Sequence, residues 1–129
     1  MQINLPEVVA EVSALFERYE KALTTNDVEM LTALFRKAPE TIRYGIGENL
    51  YGADEIAAFR NARPAINLER TIHRTVITTY GRNYATASTL FHREMMGDRK
   101  IGRQMQTWVR FPDGWFIVAA HVSIIDKPA

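Results

Sequence analysis

The side chains that could do chemistry in this 129-residue chain stand out by position rather than by motif. Tyr19 falls in the middle of an apolar helical stripe formed with Val8, Val12, Leu15 and Leu23, so its ring should point at whatever that helix packs on. A buried phenol needs a partner for its hydroxyl; a backbone carbonyl in the core would serve, and so would a ligand. In residues 41–46, Ile42, Tyr44 and Ile46 share one strand face, and Arg43 shares the other with Thr41 and Gly45. Arg43 therefore lies either in solvent, where most arginines are found, or reaches past the small glycine into the interior. Arg63 follows the stripe of Ile56 and Phe59, and Arg103 sits between Ile101 and Met105 on the apolar face of its strand. Both can run their stems along apolar surface and hold the charge at a rim. Two such arginines in one cavity need an anionic guest, and a guanidinium fork matches a carboxylate. The implied ligand is a small carboxylate, a dicarboxylic acid first of all, with Arg43, Arg63 and Arg103 as its binding residues.

Other chemistries lack their groups. There is no cysteine, which removes disulfides, thiolate metal sites and cysteine nucleophiles. His73, His92 and His121 fall on three different extended stretches without a helical i,i+4 pair, so neither a metal nor another cofactor is expected. Asp98 and Asp113 lie in turns and Asp54 in the first turn of a helix, which leaves no interior carboxylate for proton abstraction from carbon. No nucleophile-elbow pattern is present. His121, Ser123, Gln106 and Trp108 read as packing or subunit-interface residues. Lys and Arg total 16 against 15 Asp and Glu, a net charge of +1 that gives no electrostatic footprint for nucleic acid. Neither a leader pattern nor an apolar run near the ~20 residues of a membrane span is visible, so the protein is expected in the cytoplasm and off the membrane.

These groups must be positioned by one domain covering residues 1–129, since 47% hydrophobic and 24% charged residues is ordinary globular composition. Asn4 and Pro6 open a first helix, and Asn26 with Glu29 forms a capping-box pattern for a second. A short strand at 40–46 and a brief return through Leu50 and Tyr51 precede a third helix over 52–62. Four extended stretches follow, at 68–80, 84–96, 100–111 and 115–125, separated by turns at Gly81-Arg82-Asn83, Gly97-Asp98 and Pro112-Asp113-Gly114. Helices first and long strands after predict an α+β fold, three helices on one face of a curved, mostly antiparallel sheet enclosing an open-mouthed cone. In the third stretch the face of Ile101 and Met105 reads as the inner one. Along the last, Phe116, Val118, Ala120, Val122 and Ile124 alternate with Trp115, Ile117, Ala119 and Ile125, so both faces are apolar. Helices cover only one face, and the expected cover for the other is a second copy of the chain, a homodimer through the outer sheet face.

Gly102-Arg103-Gln104, the run from Gln106 to Trp115, and Ala119-Ala120-His121-Val122-Ser123 resemble the AtzH-like family. Ile42-Arg43-Tyr44-Gly45 and the run from Phe59 to Pro64 fit it too, and the likeness covers nearly the whole chain. The family, which includes oxalurate-catabolism (HpxZ) and cyanuric-acid-catabolism (AtzH) proteins, belongs to the nuclear transport factor two-like superfamily with its cystatin-like cone. The resemblance implies a small protein encoded beside an amidase-signature enzyme in the breakdown of nitrogen-rich compounds. It also implies an amidohydrolase converting dicarboxyurea to allophanate, with Tyr19 and Arg43 at the positions of the family's essential pair. The alternative is a non-catalytic dimer that binds a small anion or serves as accessory subunit of that amidase. Convergence of Tyr19 and Arg43 on one open cavity separates the two, because an accessory module can fill its cone.

Overall fold

The computed structural model describes residues 1–64, 66 and 68–128. The chain runs α1 (Pro6–Thr24), α2 (Val28–Leu34), β1 (Ile42–Tyr44), β2 (Asn49–Tyr51), α3 (Ala53–Ala62), β3 (Thr71–Tyr80), β4 (Tyr84–His92), β5 (Lys100–Phe111) and β6 (Gly114–Asp126), with one 3-10 turn at Glu94–Met96. The six strands form one sheet in the order β2-β1-β6-β5-β4-β3. Only β1 and β6 pair in parallel, and the other neighbours are antiparallel. This is the expected α+β, cystatin-like architecture. No helix among the described residues is long and apolar enough to cross a membrane.

Two helix starts differ from the sequence reading. Asn4 does not cap α1. It sits at φ 60° and pairs with β3, its side-chain oxygen accepting from the Thr79 amide at 2.9 Å. α2 is capped by Asp27, whose carboxylate accepts from the Met30 amide at 3.1 Å, rather than by Asn26. The core joins Val12, Phe16, Tyr19 and Leu23 of α1 to Leu31, Leu34 and Ile56 of the other helices and to Ala85, Ala87, Trp108 and Ile117 of the sheet. Burial of side chains this size stabilises by roughly 1.5–3 kcal/mol each.

The inner face of β5 is the opposite of the one its alternation suggests. Gly102, Gln104, Gln106 and Trp108 point under the helices, while Arg103 and Met105 face out, Met105 at 51% exposure. Polar residues can occupy the inner face because each has something to meet there. Gln106 Oε1 accepts from the Trp108 indole at 3.0 Å, and Gln104 faces a cavity. The β6 parity also breaks. Thr107 pairs with Ala119 and Trp108 with Ile117, so Val118 is the extra residue of a bulge. Val122 and Ala120 are therefore inward on one side of it, and Ile117 and Trp115 on the other. His121 and Ser123 lie on the outer face, beside Arg103 and Met105.

Candidate functional site

Tyr19 and Arg43 reach the same space from opposite walls. The α1 stripe turns Tyr19 onto the sheet, where it is 2% exposed. The pairing of β1 with β6, Arg43 opposite Ala120, sets Arg43 over the inner face, 8% exposed. Both line a cavity of about 250 Å³. Gly45 is what lets Arg43 lie as it does. A Cβ at residue 45 would overlap the Glu48 carboxylate, which accepts from Arg43 Nη1 at 2.9 Å. Gly45→Ala is expected to push against Arg43 Nη1 as well, 2.9 Å from the added carbon, and by displacing that guanidinium to weaken anion binding several-fold, the size of one charge-assisted hydrogen bond, read by calorimetry.

Three more arginines line the cavity and a fifth backs it. Arg63, at the end of α3, lines it as the sequence suggests. Arg70 and Arg93 come from the chain just before β3 and just after β4. Arg60, one helical turn from Ile56 in α3, is 2% exposed, and its charge acts on the Tyr19 hydroxyl. Arg103 is not part of the site. It lies on the outer face, bonding Ser123 Oγ from Nε at 3.2 Å, because the whole strand face that carries it points away. Arg60 was legible in principle, since Ile56, Arg60 and Arg63 share one helical stripe. Arg70 and Arg93 flank strands in segments with no periodicity, and nothing in the sequence singles them out.

Aromatic rings support these cations. Arg70 and Arg93 sit over Phe91 at 4.6 and 5.1 Å, Arg43 over Phe59 at 5.8 Å and Arg60 over Phe35 at 5.3 Å. Phe91 in turn lies flat across Gly102, where a Cβ would collide with its ring. Gly102→Ala is expected to lift Phe91, lowering both thermal stability and anion affinity; unchanged affinity in a folded variant would detach the ring from the site.

Two carboxylates near the cavity were missed in the sequence. Glu48 pairs with Arg43, and Glu20 pairs with Arg70 through both oxygens, Nε to Oε2 at 3.1 Å. Glu20 is the neighbour of Tyr19 on α1, at the edge of the apolar stripe, where a carboxylate ordinarily means solvent. In the described ion pairs these two carboxylates engage Arg43 and Arg70 and none of the other three guanidiniums. Arg43 Nε, Arg60 Nε and Nη2, Arg63 Nη2 and Arg93 Nε are buried without a hydrogen-bond partner among the described residues. Unpaired buried donors of positive charge are costly, and an anion in the cavity would offset that cost.

The same field acts on the phenol. Burial pushes the Tyr19 hydroxyl up, but the guanidiniums of Arg60, Arg43 and Arg70 more than offset it, so its pKa lies below that of a free tyrosine. Burial and the neighbouring cations Arg60 and Arg43 lower the pKa of Arg63, and burial with Arg70 lowers that of Arg93. One of the five tyrosines is therefore expected to ionise early in an alkaline absorbance titration, and that step to vanish in Tyr19→Phe. A bound dianion should move the step to higher pH by neutralising the cations. A titration in which Tyr19 ionises with the rest would refute the electrostatic reading.

The family model described as AtzH-like matches residues 1–128. Among solved structures, a Pectobacterium atrosepticum protein of the DUF3225 family is 59% identical, with TM-score 0.91 over 96% of this chain and 95% of its own. A cystatin-like fold protein from Burkholderia xenovorans is 49% identical, with TM-score 0.93 over 99% of both chains. A nuclear transport factor 2-like protein from Salmonella enterica is 26% identical, with TM-score 0.73 over 95% of this chain and 94% of its own. No curated protein matches. A family match spanning all but the last residue, on a cystatin-like fold, leaves one reading of the lineage: the chain belongs to the AtzH-like family.

Proposed function

We propose that the protein is a small cytoplasmic amidohydrolase that removes a carboxyl group from the nitrogen of a carboxylated urea, as dicarboxyurea is converted to allophanate in its family. The observation that carries this reading is the convergence of Tyr19 and Arg43 on one open cavity. The cavity suits a small dianion rather than a large ligand, because about 250 Å³ lies below the usual 300–1,000 Å³ of drug-sized sites. In the reaction, Arg43 and Arg63 pair with one carboxylate and Arg70 and Arg93 with the other. The C–N bond to one carboxyl breaks and its electrons stay on nitrogen, which takes the proton from the Tyr19 hydroxyl. The carboxyl leaves as carbon dioxide, and the phenolate, held by Arg60, regains a proton from water. Charge stabilisation and proton delivery suffice, so no nucleophile is required. An accessory module that only docks needs no open cavity lined with unpaired donors, and a non-catalytic anion binder would bind the acids below without releasing carbon dioxide.

The test is calorimetry of the whole protein against small dicarboxylates and ureido acids, followed by carbon dioxide release from the carboxylated urea. Binding is expected in the wild type and at least about tenfold weaker in Arg43→Ala, the loss of a charged hydrogen-bonding partner. No binding by any of these acids would overturn the proposal. The protein is also proposed to act as a homodimer through the outer sheet face. Met105 and Val76 there are 51% and 55% exposed, and Leu90, Arg103 and His121 line the same shallow depression with them. Analytical ultracentrifugation at micromolar concentration should find a dimer, and Met105→Glu should give a monomer; a monomeric wild type would remove that part of the reading.

A further inference from the structure

Among the described residues Gln104 is the one neutral amide lining the cavity, and its orientation is fixed by a chain of contacts. It sits mid-strand in β5, between Thr89 of β4 and Val122 of β6, and is 3% exposed. Arg70 Nη2 donates to its Oε1 at 3.0 Å. A guanidinium only donates, so the amide oxygen must face Arg70 and the NH2 must face the other way. Arg70 is itself held by Glu20. The result is a buried Nε2 with no partner among the described residues, on a residue that lines the cavity. Gln106 also has an unpartnered Nε2, fixed by Trp108, but it lies outside the cavity lining and has no ligand to meet.

We infer that Gln104 is a specificity-determining residue whose Nε2 donates to a neutral carbonyl oxygen placed between the two carboxylates of the ligand. The inference rests on the cavity being the anion site proposed above, and it adds which dianions that site prefers. The guanidiniums find their strongest partners in carboxylates, because both sides of those hydrogen bonds are charged. A carbonyl carries no charge and is left to the neutral donor. A ligand with a methylene there leaves Nε2 buried and unsatisfied, and the site rejects it on that account. The donor is held on a central strand rather than a loop, so it cannot swing away to find water. The preferred guest is a linear dicarboxylate with a central carbonyl, of which a ureido group is one case.

The test uses glutarate and 3-oxoglutarate, two dicarboxylates of equal chain length that differ in the central carbonyl. Each is titrated calorimetrically into the wild type, Gln104→Leu and Gln104→Glu. The wild type should bind 3-oxoglutarate about fivefold to tenfold more tightly, the size of one hydrogen bond to a buried donor. Both variants should bind the two acids within about twofold of each other, because neither offers an N–H at that place. The readout is the ratio, so the extra negative charge of Gln104→Glu, which weakens both acids alike, does not disturb it. Gln104→Glu keeps the shape and still accepts from Arg70, so it carries the test should Gln104→Leu fail to fold. Equal affinities in the wild type, or a preference that survives in a folded variant, overturn the role of Gln104 and leave the anion site standing. If neither acid binds the wild type, the anion site falls and this inference falls with it.

Discussion

Tyr19→Phe should leave the protein folded and cut turnover of the carboxylated urea by about 100-fold or more, the usual contribution of a positioned proton donor. The change removes one oxygen from a ring whose packing against Phe35, 6.5 Å away, is retained. Fold stability should therefore move little near neutral pH. It should even lose a small alkaline advantage. The folded phenol ionises below the unfolded one, so the unfolded chain holds that proton longer and wild-type stability rises with pH through the window between the two values. Binding of a non-reacting dicarboxylate should survive in Tyr19→Phe, because the guanidiniums that hold it are untouched. The pattern to look for is thus lost turnover with retained anion affinity. Turnover within a fewfold of wild type would show that the proton comes from elsewhere, and water held by the arginines would be the next donor to examine.

How far the sequence could go is set by what alternation and helical spacing can see. The α1 stripe places Tyr19, and the order of helices and turns gives the architecture, because both depend on periods that survive in the sequence. Alternation gives the inner face of β5 the wrong way round, and with it Arg103, since the cavity puts Gln104, and the Trp108 indole puts Gln106, where a core wants aliphatic residues. That inversion is itself a signal of function: local rules fail where a site overrides them. The bulge at Val118 defeats alternation for a different reason, because it shifts parity by one residue without any mark such as glycine. Arg70, Arg93 and Glu20 come together only through the tertiary fold, Glu20 from 50 residues before Arg70, and no local pattern could bring them to one place. The electrostatic character of the site, five cations and few anions, was for that reason invisible in a chain whose net charge is +1.

The excess of positive charge makes Glu20 the most consequential single anion in the site. Arg70 has a side chain only 1% exposed and Glu20 one 16% exposed, so their contact is largely out of water. Removing one member of such a pair strands the other and costs about 3–5 kcal/mol. The two members are not equivalent here. Glu20→Gln leaves Arg70 facing Arg93 with its nearest anion gone, whereas Arg70→Gln leaves a carboxylate in a cluster still rich in guanidiniums. Glu20→Gln should therefore lower stability by about 3 kcal/mol, and Arg70→Gln by clearly less. For a chain of this length about 3 kcal/mol corresponds to a fall of roughly 10 °C in Tm. A saturating dicarboxylate stabilises the folded form by mass action, and it should restore more of the loss in Glu20→Gln than it adds to the wild type, because it replaces the missing negative charge. Thermal melts of the two variants with and without glutarate decide the matter. Equal losses in both variants, or no extra rescue in Glu20→Gln, would mean that the guanidiniums are already neutralised in the free protein, and the case for an anionic guest would lose its electrostatic ground.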